Sequence, residues 1–429
     1  MHLCLFEDDA VGHFLPLVHT RAVYDLRLGI RTILENTRAA FGGPATLLHA
    51  RRRVAAVTAA EHDLLTNRIP EGLGVLFVNG RYVAEAGPAL ERLRAAARAS
   101  EPGRVFTQGD AVVAAWVPDA SSDLVAADAL TRATFEGLPE EPLEGARLLR
   151  RLWHLLDERD AALRRDFEAL TKGYNIYERP GADVRDGARL VQGERVYVAP
   201  GAVIRPGAIL SAEDGPIFID RDALVMENAV VRGPAYLGAH AQVRIGAHVE
   251  GCAVGPWSKV GGEAWHSIIH SFSNKSHPGF LGDSYLGRWC NIGADANTSN
   301  LKNDYGKVKL YNEALGEVET TDRQFLGLFM ADHAKCGINT MFNTGTVVGV
   351  ACNLYGSGYQ PNHVPSFSWG SPEARYVTYR LPKALHVAEI VMARRGVTLT
   401  DAEREMLTAV FEATAPAREA FRQKHAKKR

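Results

Sequence analysis

Residues 219–253 read IDRDALVMENAVVRGPAYLGAHAQVRIGAHVEGCA, with an aliphatic residue at every sixth position: Ile219, Val225, Val231, Leu237, Val243 and Val249. Each is followed four residues later by alanine, at Ala223, Ala229, Ala235, Ala241, Ala247 and Ala253. This phase lock predicts a coil of three short flat strands with a triangular cross-section. The aliphatic side chain points into a narrow axis, the small residue fits a tight corner, and each turn needs neighbours to bury its face. Six-residue periodicity of this kind is the signature of a left-handed parallel β-helix, an exception to right-handed crossover. The register extends upstream through Val198 with Ala202 and Ile204 with Ala208, and downstream through Ile292 with Ala296, and Ile338, Thr344 and Val350 resume it.

Outside the repeat the periodicity changes. From residue 1 to about 140, short apolar runs (HLCLF, ATLLHA, GVLFVNGRYV) alternate with helical stretches (VYDLRLGIRTILENTRAAF, ALERLRAAARA), which predicts an α/β domain. Residues 141–175 carry apolar positions at helical spacing and predict a long connecting helix. The β-helix is expected over 176–370 and a helical C-terminal tail over 371–429, read as two amphipathic helices. Thr400 should cap the second of these, with Glu403 completing a capping box.

Composition bounds the function. The chain has 429 residues, 46% of them hydrophobic and 23% charged, so it is a folded protein of more than one domain. Lys+Arg 49 against Asp+Glu 50 leaves a net charge of −1, so no global field favours nucleic acid or anionic membrane. The basic tail KHAKKR (424–429) reads as a solvated terminus. Five scattered cysteines without framework spacing point to a reducing, cytoplasmic compartment. The N-terminus MHLCLFEDDAVGH has acids where a signal peptide needs a basic region, and no apolar run reaches the ~18 residues of a membrane span.

The repeat loses its phase near Gly261, and the polar text that follows contains NKSHPGFLGD (274–283). A lone histidine beside Pro-Gly is commonly just a turn residue, and Asn, Gly and Asp serve β-helix corners freely. His240, His248, His266 and His270 also invite a zinc reading, but the nearest pair has His-x3-His spacing.

The segment HPGFLGDSYLGRWCNIGAD (277–295), followed by NTSNLKNDYG, resembles the acetyltransferase half of the bifunctional GlmU family of N-acetylglucosamine-1-phosphate uridylyltransferases/glucosamine-1-phosphate N-acetyltransferases. LPLVHTRAVYDLRLGIRTILEN (15–36), FLGLFMADHAKCGINTMFNTGTVVG (325–349) and PSFSWG (365–370) resemble a divergent bacterial branch of GlmU-like sugar nucleotidyltransferases. The resemblance implies a transferase. His277 would be the general base that deprotonates a sugar amine, an imidazole having its pKa near working pH. Asn291 would hold the amine or a sugar hydroxyl, and Asn300 and Lys307 would bind substrate. Arg244, Lys259 and Lys275 stand in for the family's phosphate-holding cations, which fall out of register here. Ala294, Thr340 and Gly349 would contact acetyl-CoA, the acyl donor, and the expected assembly is a homotrimer. Phe280 replaces a tyrosine of the family pattern.

The N-terminal part departs further. The family's glycine-rich loop is replaced by LFEDDAVGHFLPLVHTR, and VNGRYV stands where a metal-holding aspartate is expected. Arg21, Arg27, Asn79 and Arg81 could still hold the phosphates of an NTP or sugar phosphate, and Glu7, Asp8 and Asp9 could reach Mg²⁺. Two kinds of function stay open. One is an acetyltransferase fused to a sugar-1-phosphate nucleotidyltransferase-like domain, or nucleotidyl transfer alone. The other is a sugar-nucleotide-binding scaffold without catalysis.

Overall fold

In the computed structural model, which describes residues 2–98, 102–174 and 181–426, the chain divides into two compact units between His154 and Leu155, with Leu28–Ile30 grouped with the second.

The first unit is built on a six-stranded sheet. Its elements are β1 (His2–Phe6), α1 (Ile33–Ala40), β2 (Ala45–Leu48), α2 (Arg52–His62), β3 (Leu73–Asn79), α3 (Pro88–Arg98), β4 (Arg104–Gln108), β5 (Ala111–Ala120) and β6 (Glu140–Pro142). The strand order is β2-β1-β3-β5-β4-β6. Strands β2 and β3 flank β1 in parallel, while β5 runs antiparallel to β3. The apolar run Val75–Val78 in β3 is buried throughout, as a central strand covered on both faces must be. Thr32 and Glu35 form a capping box that starts α1. The C-terminal ends of β1 and β3 therefore lie side by side, bringing Glu7–Asp9 next to Asn79–Arg81. Gly80 allows this approach, since a Cβ there would meet Phe6 O at 3.0 Å and Tyr24 Cδ1 at 2.8 Å.

The connecting helix is shorter than its sequence suggests. It is α4 (His154–Thr171), whereas Glu140–Pro142 form strand β6. Residue 175, the last of that expected helix, and residues 176–180, the first of the expected β-helix span, lie outside the described residues.

The second unit contains the parallel β-helix. Three sheets of six, eight and nine strands form its faces. Ile219, Leu237, Val254, Ile269, Leu286, Met330, Val348 and Val364 occupy one register on the nine-stranded face. All belong to one buried core that runs along the axis, and the corner alanines from Ala202 to Ala247 are buried with them.

Three details of the repeat differ from the sequence reading. The coil drops one residue after Val249: Leu237 pairs with Val254 and Tyr236 with Ala253, so Cys252, fully buried, takes the small-residue corner. Downstream, the inward residues are Cys336, Phe342, Val348 and Leu354; the phase lies two residues earlier than Ile338, Thr344 and Val350, and Ile338 is 68% exposed. Alternate residues of a strand share a face, and a text apolar at both offsets does not say which is inside.

The coil also does not break at Gly261. Short strands continue through Glu263–Trp265, Ile268–Ser271, Asn274–Lys275, Phe280–Gly282 and Tyr285–Arg288. The hydrophobic pattern fades because serine replaces alanine: Ser258, Ser267, Ser273 and Ser284 are fully buried. Ser273 Oγ donates to Gly287 O at 2.8 Å and accepts from Cys290 N at 2.9 Å, and Ser284 Oγ accepts from Leu328 N at 2.8 Å. A hydroxyl that bonds the neighbouring coil satisfies its burial. The true interruption falls between Asn297–Thr298 and Leu328–Met330, where an antiparallel hairpin (Lys309–Asn312 with Glu317–Thr320) is inserted.

Three helices follow: α5 (Leu381–Ala393), α6 (Asp401–Ala413) and α7 (Ala415–Lys424). The Thr400–Glu403 capping box is present. The expected second helix is divided at Thr414 and restarts with Pro at its first turn, where the missing N–H is tolerated. Phe411 of α6 packs edge-on against Phe367 at 5.1 Å, and Phe421 of α7 against Tyr376 at 4.8 Å, which closes the end of the axial core.

Leu286 lies mid-stack with apolar neighbours above and below. Leu286→Ala should destabilise the β-helix by about 2–5 kcal/mol, read as a lower urea midpoint with an unchanged m-value.

Candidate active site on the β-helix

One face of the β-helix turns a column of polar side chains outward. Gln242 pairs with Lys259 and Lys259 with Asn274. Single bridges carry the column on through Asn291 to Lys335. Strand spacing sets neighbours in this column about 4.8 Å apart. Lys259, Asn274, Asn291 and Lys335 line one side of a cleft of about 580 Å³. His277, at the turn after Asn274–Lys275, lines it too, as do Ala294, Ile338 and, from the end of α5, Val391, Arg394 and Arg395.

The cleft's aromatic wall is a corner ladder. His240, Trp257, Phe272, Trp289 and His333 all sit at positive φ, between 55° and 61°. Phe272 and Trp289 stack at 4.3 Å and His240 and Trp257 at 4.2 Å. Stacking between successive coils offsets the strain of placing bulky residues in left-handed backbone.

His277 is exposed, and no protein group holds its imidazole among the described residues. Asn291 likewise presents its side chain to the cleft while its backbone bridges Ala334 and Cys336. The electrostatics are one-sided. Burial, and then the charges of Arg395, Arg244 and Arg394, hold the Lys259 ammonium below the usual lysine range. Burial and then Arg394 lower Arg395, whose Nη2 donates to Asn274 Oδ1 at 3.2 Å. Burial pulls Lys335 down to about 8. Among the described residues no carboxylate pairs with Arg244, Lys259, Lys335, Arg394 or Arg395. Repelling cations around an open cleft make a site for an anion of more than one charge.

The structure thus brings together His277, Asn291, Ala294 and Lys259, with Arg244 close enough to act on Lys259. Other expected site residues are engaged elsewhere. Lys275 is 1% exposed and donates to the carbonyls of Gly261, His277 and Gly279, so it faces the axis and not a ligand. Asn300 donates to Asp283 at 2.8 Å and Lys307 to Asp322 O at 2.6 Å. Thr340 is fully buried with its hydroxyl on Gly337 O at 2.9 Å. Gly349 is packed so that a Cβ would meet Ser366 N at 2.3 Å. Phe280 packs against Trp265 at 5.2 Å. The four histidines of the zinc reading are spread out, His240 on Trp257, His248 by Trp265 and His270 on Ser271 at 3.1 Å.

Lys335, Arg394 and Arg395 went unrecognised in the sequence. Lys335 becomes legible only once the coil register aligns it with Asn291 across an insertion. The Arg-Arg pair ends a predicted helix, where basic residues are ordinary partners of the helix dipole.

In the first unit, a second cleft of about 410 Å³ opens at the C-terminal ends of β1 and β3. This is the edge where open α/β sheets bind ligands. Asp9, His13, Arg81, Asp110, Arg132 and Arg150 line it. Asp8 is not available to a metal: both carboxylate oxygens are held by Arg81, and Oδ2 also by Asn79 at 2.8 Å. Glu7 accepts from Val23 N at 2.8 Å and from Arg51 Nε at 2.9 Å. Arg21 and Arg27 are buried and do not line this cleft. Asp8, Asp9 and Asp110 line it, and with Asp8 held by Arg81 and Asn79, Asp9 and Asp110 are the two carboxylates that would reach Mg²⁺.

Residues 3–175 match the family described as sugar nucleotidyl transferase. The bifunctional protein GlmU of Methanocaldococcus jannaschii is 37% identical over 86 residues, covering 20% of this chain and 20% of that protein. A bifunctional sugar-1-phosphate nucleotidylyltransferase/acetyltransferase of Sulfurisphaera tokodaii is 26% identical over 165 residues, 34% of this chain and 41% of that relative. This chain therefore spans less than half the length of either relative. Among solved structures, the UDP-N-acetylglucosamine acyltransferase from Campylobacter jejuni covers 54% of this chain and 94% of its own at 13% identity, with a TM-score of 0.24.

Removing Arg81 would leave Asp8 buried and uncompensated. Arg81→Met should destabilise the first unit by about 3–5 kcal/mol, seen as an early-melting transition.

Proposed function

We propose that the β-helix cleft transfers an acetyl group from acetyl-CoA to the amine of a hexosamine 1-phosphate, and that the first unit is a sugar-1-phosphate nucleotidyltransferase. The observation that carries the first half is an exposed, unpartnered imidazole at His277. It shares a 580 Å³ cleft with Asn291 and with cations that no carboxylate neutralises.

The chemistry follows from those groups. The phosphate of the acceptor is held by Lys259, Lys335, Arg394 and Arg395, with Arg244 adding to their field. Asn291 orients the sugar near His277. The amine nitrogen attacks the thioester carbonyl, and His277 accepts the proton that the amine loses. The C–N bond forms, the C–S bond breaks, and coenzyme A leaves as the thiol after protonation. Holding amine and thioester together supplies most of the rate advantage.

For the first unit, Arg132 and Arg150 beside Asp9 and Asp110 support phosphate and Mg²⁺ binding at the β1/β3 edge. This favours nucleotidyl transfer over a purely structural domain. A cytoplasmic homotrimer is the assembly this reading implies. Five free, buried cysteines suit a reducing compartment, and among the described residues no helix is long and apolar enough to cross a membrane.

Purified protein should release free thiol from acetyl-CoA when given glucosamine 1-phosphate or a related hexosamine phosphate. His277→Ala should lower this by about 10²–10⁴-fold. A wild-type rate equal to the blank across several hexosamine phosphates sinks the acetyl-transfer reading. Pyrophosphate release from NTPs with Mg²⁺ tests the first unit separately, and Asp9→Asn with Asp110→Asn should abolish it.

The lowered Lys335 predicts a pH dependence. Its charge is full below about pH 8 and lost above, so an anionic acceptor binds more weakly as pH rises. Acceptor KM should climb about tenfold per unit above pH 8. Lys335→Met should have a raised KM at pH 7 that responds less to pH, with Lys259 left as the cleft's remaining lowered lysine.

A further inference from the structure

The inward column of the cleft-bearing face reads Ile204, Val225, Val243, Val260 and then Lys275. A lysine stands where every preceding coil has an aliphatic residue. Its neighbours in the axial core, including Ile292 and Cys336, are apolar, and a buried charge there is unfavourable unless its donors are all met. They are met. The ammonium donates to Gly261 O at 2.8 Å, His277 O at 2.8 Å and Gly279 O at 2.7 Å, which uses its three donors. Glu263 and Asp295 are the acids whose charge reaches it.

The three acceptors have a common geometry. Two lie in the turn Ser276–Gly279, on either side of Pro278, and the third belongs to the coil before. The turn is packed hard against that coil: a Cβ on Gly262 would meet Pro278 Cα at 2.7 Å and His277 O at 3.0 Å, and Gly279 itself sits at φ +110°. Lys275 thus ties the main chain of His277 to Gly261 from inside the prism, while the His277 imidazole, unheld by any side chain, points the other way into the cleft.

We propose that Lys275 is a positioning residue for His277: it fixes the turn's carbonyls from the core side so that the exposed imidazole keeps one direction in the cleft. The proposal rests on the acetyl-transfer reading of the cleft only for its kinetic test. An aliphatic residue would suit the apolar axis better than a charge, and what the lysine adds instead is its hold on the turn.

The experiment is a double-mutant cycle on the full chain, with Lys275→Met, His277→Ala and the double variant assayed for thiol release. Circular dichroism and thermal melts establish that each is folded. Lys275→Met should lose about 10²-fold in kcat with acetyl-CoA KM changed less than twofold. In the His277→Ala background it should have no further effect. Equal losses in both backgrounds, or an unchanged kcat in Lys275→Met, overturn the proposal. A second readout does not need turnover: the His277 ring resonance, assigned by its loss in His277→Ala, should shift and broaden in Lys275→Met. If wild-type protein transfers no acetyl group, the acetyl-transfer reading fails, and an unchanged His277 resonance would independently overturn the positioning role.

Discussion

The width of the β-helix axis governs this part of the molecule. Three flat strands enclose a space that admits one side chain per face per coil, so each inward position is either apolar or supplied with a bond for every polar atom. Ile219, Leu237 and Leu286 meet the first condition, and Ser273, Ser284 and Lys275 the second. The change from one solution to the other coincides with the stretch that carries the cleft. Up to Val254 the coils are held by burial of aliphatic side chains. From Ser258 to Ser284 they are held in addition by hydroxyl bonds between coils. Those bonds fix the vertical register of the outward column, and with it the placing of Asn274, Asn291 and Lys335.

That column alone does not make a binding site, because a flat sheet face has no concavity. Helix α5 supplies it. Its end brings Val391, Arg394 and Arg395 over the face, and the charges it adds repel those already there. The closing helices α6 and α7 bury Phe411 and Phe421 against the last coils, so the chain between them and the β-helix is anchored at its far end. Repulsion among Lys259, Arg394 and Arg395 is tolerated because the side chains remain partly solvated, and it is relieved when an anion enters. An arrangement that is unfavourable when empty is one that favours the entry of an anion such as the phosphate proposed above.

Much of this was legible in the sequence, and the failures share a cause. The six-residue phase lock identified the β-helix because few other structures demand an aliphatic residue and a small one at that spacing. It then misplaced the phase around Val249 and Ile338, where one dropped residue or a second apolar position left the text ambiguous. The polar run after Gly261 reads as a loss of phase because the aliphatic-alanine pattern fades there, whereas serine in a corner is a small residue that can also bond. Lys275 is expected from the sequence as a phosphate cation beside His277, but it alternates with the outward Asn274 and pairs with Val260, which puts it on the inner side of its strand, while His277 lies beyond the strand in the turn. Proximity along the chain does not give the side chain's direction; the strand's period of two does. His277 and Asn291 were legible through their neighbours, while Arg394 and Arg395 lie in a helix whose docking no local pattern encodes.

The first unit shows the same limit in another form. Three acids standing together after β1 suggest a metal site, yet they follow the end of the strand, with Asp9 already opening a short helical turn, and their side chains go to different partners. Glu7 is spent on Val23 and Arg51 and Asp8 on Arg81 and Asn79, which leaves Asp9 beside Asp110 at the cleft. The buried Asp8–Arg81 pair spans the ends of β1 and β3, where a glycine-rich phosphate loop would otherwise need space for main-chain donors. A bidentate ion pair at that junction is rigid and pre-formed. It fixes the floor of the cleft, so the phosphate binding proposed for this unit would depend on the arginines of the rim, Arg132 and Arg150, more than on the turn itself.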